Sequence, residues 1–269
     1  MSAKMNRFRI DRNGLSRVAI VQARMSSTRF PGKVLEKVAS RPLLSFQLER
    51  IAQSQEIDDI VVATTNSKAD DIIERLLVTE KVKIFRGSEN DVLDRFNSAA
   101  KKFNADIIVR LTADCPLIDP DIIDKVIQKF YNQPNGCQFA TNAIPRSYPA
   151  GLEVECFTRK ALCFAATEAT EEYDREHVTS FFYRNPIRFN PLSIVSKRDY
   201  SSERWTLDEP QDYKLIKEII EGLYDKNKRF RMSDIIDILD ENPHWRDINR
   251  MVLETPRLVS NTTFKGNGT

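Results

Sequence analysis

Short β-branched runs that alternate with segments of helical period predict an α/β fold, a mainly parallel twisted sheet with helices on both faces. The order strand then helix recurs several times along the chain. A length of 269 residues with 41% hydrophobic content supplies enough apolar surface for a full core. No internal repeat or low-complexity linker interrupts the pattern, so one domain over residues 17–254 is expected. Tails at 1–16 and 255–269 read as disordered, the second because it ends in NTTFKGNGT.

Residues 18–21 read as the first strand and 42–53 as a helix, with Pro42 in its first turn and Leu44, Leu48 and Ile51 on one face. Residues 60–64 form the second expected strand. The next helix carries Ile72, Ile73, Leu76 and Leu77, and a strand follows at 82–85. Ser88 with Asp91 resembles a capping box opening a helix that turns Leu93, Phe96 and Ala100 inward. A fourth strand at 107–111 runs into TADCPLIDP, where Pro116 and Pro120 stop the strand and start a helix bearing Ile122, Ile123, Val126 and Phe130. From 138 onward the order is less regular: QFATN, EVECF, SIVS and RWTL read as short strands around a Pro and Gly loop and a helical stretch to about Tyr183. Helices at 209–223, with Leu215, Ile216, Ile219, Ile220 and Leu223, and at 233–240 close the pattern.

Charge and cysteine content exclude several functions. The 41 Lys and Arg nearly balance 39 Asp and Glu, and a net charge of +2 gives no whole-protein field for nucleic acid, so any anion site is local. Cys115, Cys137, Cys156 and Cys163 form no CxxC pair, and His177 and His244 lie far apart, so zinc spacing is absent and reduced thiols are expected. The polar, basic N-terminus leads into no secretory apolar region, and no segment approaches a membrane span. A cytoplasmic protein without a membrane partner is therefore expected.

Three stretches carry chemistry. QARMSSTRFPGKVL, residues 22–35, follows the first strand and gathers Arg24, Arg29 and Lys33 around small residues and one glycine. A triphosphate needs several cations and backbone N–H groups together, and a loop leaving a parallel strand supplies both; a solvated basic loop is the alternative. Asp114 ends the strand IIVRLTAD, where it either ligates Mg²⁺ with substrate phosphates or caps the next turn. Asp208 in RWTLDEPQDYKLI again ends a strand-like run before a helix with Pro210 in its first turn, as a second metal ligand, a helix N-cap, or both.

The order ARxxSTRxPGKxL resembles the signature of the cytidylyltransferases that make CMP-activated acid sugars, the CMP-sialate and CMP-KDO synthetases. Its Gln-Ala-Arg-Met start is similar to the SpsF-like spore-coat polysaccharide branch. The resemblance implies a nucleotide-diphospho-sugar transferase (Rossmann-like) fold and transfer of CMP from CTP to a sugar-like, acidic acceptor with release of pyrophosphate. It gives Arg24, Arg29 and Lys33 the triphosphate, and it gives Asp114, in xxDxPL, and Asp208, first in D-x-P-x-D, the Mg²⁺. These five are the expected catalytic residues. In FRGSENDVLDRF, Arg86, Asp94 and Arg95 match charged positions near the nucleotide, with an ion pair on the helix as the alternative for Asp94 and Arg95. PAGLEVECF and EYDREHVTSFF resemble segments that close over the acceptor, which nominates Glu153, Glu155, Arg175 and His177. An ordinary structural histidine partnered by Glu176 or Thr179 is the other reading of His177.

The segment around 140–200 is nominated for homodimerisation. The 22–35 loop is no Walker loop, because GxxxxGK is absent. A glycosyltransferase of related fold would need a DxD metal motif, and Asp119 and Asp121, which have that spacing, read instead as a helix start around Pro120. A noncatalytic regulatory protein on the same fold is disfavoured by the three loop cations and both metal candidates.

Overall fold

The computed structural model describes residues 14–133 and 136–252. Most of both expected tails, residues 1–13 and 255–269, lies outside the described residues. In chain order the first half forms β1 (Arg17–Gln22), a small hairpin of β2 (Lys37–Val38) and β3 (Arg41–Pro42), α1 (Leu43–Ile51), β4 (Asp59–Thr65), α2 (Asp71–Glu80), β5 (Lys83–Gly87), α3 (Val92–Lys102), β6 (Ile107–Thr112) and α4 (Pro120–Tyr131). The second half adds β7 (Phe139–Thr141), β8 (Glu155–Thr158), α5 (Arg159–Glu168), α6 (Glu172–His177), α7 (Ser180–Arg184), α8 (Pro186–Phe189), β9 (Leu192–Ser193), α9 (Pro210–Leu223) and α10 (Met232–Glu241).

Why β1 lies at the centre follows from its composition. Successive strand side chains point to opposite faces, so Ala19 and Val21 enter one core layer and Val18 and Ile20 the other. A strand apolar on both faces is stable only with cover on both. It pairs in parallel with β4 and β6, β5 continues beyond β4 in parallel, and β8 turns antiparallel against β6, giving the order β5-β4-β1-β6-β8-β7-β9. Helices α1, α2, α4, α9 and α10 bury their apolar sides in the first layer, while α3, α5, α7 and α8 bury theirs in the second. The mainly parallel sheet covered on both faces is the architecture the alternation predicts.

Four local expectations are corrected. RWTL forms no strand, because its backbone divides its bonds: Trp205 N–H reaches Ala150 O at 2.7 Å and Leu207 N–H reaches Asp114 O at 2.7 Å, leaving one isolated bridge, Ala150 to Arg204. Ser88 is not the cap of α3. Its hydroxyl accepts from Asp91 N–H at 3.0 Å, and Asp91 then caps the helix by accepting from Asp94 N–H at 2.9 Å. Pro42 precedes α1 as its N-cap residue and does not sit in its first turn. The helical stretch to Tyr183 continues to Phe189 as four pieces, with Val178 at φ +57° between the second and third.

All four cysteines are free, three of them buried and Cys163 exposed. Burial pushes the Cys115 and Cys156 thiols up, and Cys137 up to about 11. Thiolate is the reactive form, so a thiol reagent is expected to titrate Cys163 rapidly in native protein and all four after unfolding. Fast modification of a second cysteine in the folded state would contradict this packing.

Candidate active site

The loop leaving β1 is held from beneath by Asp70, which is 1% exposed. One of its carboxylate oxygens accepts from Met25 N–H at 2.8 Å and the other from Thr64 Oγ1 at 3.0 Å and Thr65 N–H at 3.1 Å. Gly32, at φ +74°, closes the loop by donating its N–H to Met25 O at 3.0 Å and leads into one 3-10 turn, Lys33–Leu35. That turn aims Lys33 across the sheet ends. Its Nζ lies 2.6 Å from Leu207 O, 2.8 Å from Asp208 Oδ1 and 3.7 Å from Asp114 Oδ2. Arg29 meets the same Asp208 oxygen at 3.0 Å and Glu209 at 3.6 Å. Arg29, Lys33, Asp114 and Asp208 therefore converge, from three segments up to 179 residues apart in sequence number by subtraction of 29 from 208.

The two carboxylates are presented differently. Asp114 follows β6 and accepts from the Thr112 hydroxyl and, at 3.4 Å, the Cys115 thiol, so no backbone N–H of the following turn is bonded to it. The reading of Asp114 as a turn cap is not what the structure has. Asp208 is not a helix cap either: Glu209 is the N-cap of α9, and Asp212 reaches back to accept its N–H at 2.9 Å. Burial pushes the Asp208 carboxyl up, but Lys33, Arg29 and Arg204 together outweigh it and hold it below its ordinary value. It stays ionised at neutral pH.

Around this centre lie further cations. Arg24 is exposed and makes no hydrogen bond or ion pair among the described residues. Arg95 is 2% exposed; Nη1 donates to the carbonyls of Ser88 and Glu89, while Nε has no partner among the described residues. Burial, and then the like charge of Arg24, pushes its guanidinium down to about 10, which leaves it cationic at neutral pH. The surface ion pair with Asp94 is not formed, because Arg95 turns into the core and Asp94 outward. Arg86 is engaged elsewhere: it donates to Thr65 O at 2.8 Å, Ser67 O at 2.7 Å, Asp71 at 2.7 Å and Glu74 at 2.6 Å, fastening the turn between β4 and α2.

The acceptor-side nominees fall into two groups. Glu155 is buried beside the strand ends, paired with Arg110 and accepting from Tyr183 Oη at 2.7 Å, while Arg110 also donates to Gln22 at 3.0 Å. Glu153 pairs with Arg146 at 3.4 Å and accepts from Gly151 N–H at 2.7 Å. Arg175 and His177 belong to α6 and serve its packing in this structure: Arg175 grips Asp91 and the Ala166 carbonyl, and the exposed His177 ring lies 4.2 Å from that of Tyr173. Asp70, Arg110 and Tyr183 belong to none of the motifs the sequence offers for the site. Arg110 carried a signal, since it interrupts the apolar run IIVRLT at a strand end.

Asp119 and Asp121 make no DxD site. Asp119, 2% exposed, caps α4 by accepting from Asp121 N–H at 2.8 Å and also accepts from Met232 N–H at 2.6 Å. Among the described residues no three His, Cys, Asp or Glu converge as a protein-only metal cage. Two carboxylates beside a cationic loop offer the hard oxygens that suit Mg²⁺, which keeps waters and takes other ligands from substrate phosphates.

A parallel sheet whose first loop turns Arg29 and Lys33 toward one carboxylate just past β6 and another just ahead of α9 has the site of a nucleotide-handling transferase. Comparison with known proteins narrows that class. Residues 18–236 match the family described as cytidylyltransferase, and the chain belongs to that family of nucleotidyltransferase enzymes. An uncharacterized protein of Methanocaldococcus jannaschii is 40% identical over 237 residues, covering 87% of this chain and 95% of its own. The spore coat polysaccharide biosynthesis protein SpsF of Bacillus subtilis is 32% identical over 234 residues, covering 83% and 94%. The structure of a cytidylyltransferase from Leptospira borgpetersenii superposes with a TM-score of 0.82 at 34% identity, over 93% of this chain and 99% of that one. Among the described residues no helix is long and apolar enough to cross a membrane.

Proposed function

We propose that this cytidylyltransferase transfers CMP from CTP to an acidic sugar acceptor, in the synthesis of a surface polysaccharide or glycoconjugate, with Mg²⁺ on Asp114 and Asp208. The observation that carries the reading is the position of Lys33, whose ammonium lies between both carboxylates while Arg29 meets one of them. Cations that suit phosphate oxygens and carboxylates that suit a divalent ion thus occupy one small volume.

In the reaction an acceptor oxygen forms a bond to the α-phosphorus as the bond from that phosphorus to the bridging oxygen of the β-phosphate breaks. The acceptor gives up its proton and pyrophosphate leaves. Arg29 and Lys33 hold the departing phosphates, and Arg24 extends the cationic rim; these contacts position the reactants and stabilise charge that grows on the leaving group. Bound Mg²⁺ supplies neutralisation of that charge. Arg95, which stays cationic near Arg24, adds positive charge beside the loop that a carboxylate-bearing sugar would complement. The SpsF relative supports a polysaccharide setting.

The test incubates the protein with Mg²⁺, each of the four nucleoside triphosphates and a panel of acidic and neutral sugars, and follows pyrophosphate. Release is expected only with CTP and an acidic sugar, and is abolished by chelator. Equal release with neutral sugars would overturn the acceptor class, and preference for another nucleotide would overturn the donor.

A further inference from the structure

Asp212 is wholly buried in the first turn of α9, yet neither chemistry nor simple capping accounts for all its contacts. Five donors converge on its carboxylate, each at 2.9 Å: Arg204 Nε and Asn249 Nδ2 on Oδ1, and Arg204 Nη2 with the N–H groups of Asp208 and Glu209 on Oδ2. Capping needs only the Glu209 N–H. A carboxylate offers about four lone-pair positions, so this one is saturated and cannot turn. Asn249 closes the group from the far end of the described chain by donating also to Arg204 O at 3.0 Å.

The contacts lead to Asp208. Its backbone N–H is held by Asp212, and its Oδ2 lies 3.4 Å from the same Arg204 nitrogen that Asp212 accepts. A guanidinium is a rigid planar fork, so an Arg204 fixed on Asp212 defines where Oδ2 sits. The other oxygen, Oδ1, is then left facing Arg29 and Lys33, and Lys33 in turn lies 3.7 Å from Asp114 Oδ2. We propose that Asp212, Arg204 and Asn249 are a positioning unit that orients the Asp208 carboxylate and thereby sets how tightly the site takes a divalent cation. The inference rests on the reading of Asp208 as a metal ligand.

Neighbours that hold a metal-ligating group in place are worth about ten- to a hundred-fold in metal affinity. Mn²⁺ serves as the probe. Its binding to the full chain with CTP present is followed by electron paramagnetic resonance for wild type, Arg204→Lys, Asn249→Ala and, as reference, Asp208→Asn, alongside thermal midpoints and the binding of CTP without metal. Arg204→Lys keeps the charge and loses the fork, so its Mn²⁺ half-saturation is expected to rise about ten-fold or more, with CTP binding in the absence of metal unchanged. Asn249→Ala, which removes two of the contacts at a distance from Asp208, is expected to show a smaller rise in the same direction. A merely structural role would lower the thermal midpoints and leave half-saturation at the wild-type value. That result in Arg204→Lys and Asn249→Ala, with Asp208→Asn still impaired, overturns the positioning unit alone; wild-type half-saturation in Asp208→Asn overturns the metal reading and this inference with it. Should Arg204→Lys fail to fold, the Asn249→Ala arm decides by the same criterion.

Discussion

Asp208→Asn is expected to lower pyrophosphate release by about a hundred- to a thousand-fold while leaving the protein folded, and Asp114→Asn to do the same. The substitution keeps shape and removes charge. Asparagine caps a helix as well as aspartate does, so a loss of activity would not come from a lost cap; capping of α9 in any case belongs to Glu209 and Asp212, and Asp208 directs its carboxylate at Lys33 and Arg29. Lys33 retains the Leu207 carbonyl and Arg204 retains Asp212 in the variant, so no cation is left bare. Initial rates over a Mg²⁺ titration, with denaturant unfolding in parallel, separate the two effects; wild-type turnover in both variants would remove the carboxylate pair from the mechanism.

The same residue gives a pH signature. Its folded value lies below the ordinary carboxylate value, because Lys33, Arg29 and Arg204 outweigh the opposing effect of burial. The stabilisation it contributes is therefore complete above the unfolded value of about 3.9 and is lost as pH falls through the depressed folded value. In wild type the unfolding midpoint should decline below that range, and Asp208→Asn should show a shallower decline.

How far the sequence could reach depended on whether a residue's partners are near it in the chain. The central strands were legible because an apolar run covered on both faces has few alternatives, and β1, β4 and β6 fall within a residue of where the β-branched runs put them. The convergence of Lys33 with Asp114 and Asp208 was legible only through resemblance, since nothing local says that residue 33 meets residue 208. The limits have equally physical causes. RWTL has a strand's composition but two different partners, Ala150 and Asp114, and composition does not count partners. Of the two readings of Arg95, a charge near the nucleotide or half of a helix ion pair, the ion pair is not formed, because the side chain lies with Leu93, Phe96 and Ala99 on a buried side of α3. Arg86 and Arg175 match functional positions in order, yet their donors are taken by residues of other turns and helices that only the fold brings near. Asp70 gave no signal at all: it is one carboxylate among 39 acidic residues, and its importance lies in Met25 N–H, 45 positions away.

Gly151→Ala should be the most damaging change to stability at a position with no charge and no chemistry. Gly151 has φ +102°, a conformation that L side chains rarely adopt, and a Cβ there would lie 2.6 Å from the Trp205 carbonyl carbon, 2.7 Å from Trp205 O and 2.7 Å from Thr206 N. Those atoms are backbone and cannot swing aside. They belong to the segment that Ala150 holds by accepting from Trp205 N–H, two peptides before Leu207 and Asp208. Strain at a disfavoured φ costs about 1–3 kcal/mol and overpacking about 1–3 kcal/mol more, so a loss of about 2–6 kcal/mol follows from the two together. Relief by moving residues 205–207 would displace Asp208, so turnover should fall even in the molecules that fold. Gly136→Ala is the control: Gly136 has φ +64° but nothing among the described residues within 4 Å of its Cβ position, so it carries the cost of the left-handed backbone, about 1–2 kcal/mol. Urea midpoints for the two variants, with rates normalised to the folded fraction, test the argument. Equal losses of stability would mean that the close approach to Trp205 and Thr206 is not what reserves position 151 for glycine, whereas a larger loss at 151 with a fall in normalised rate ties the packing of this loop to the placement of Asp208.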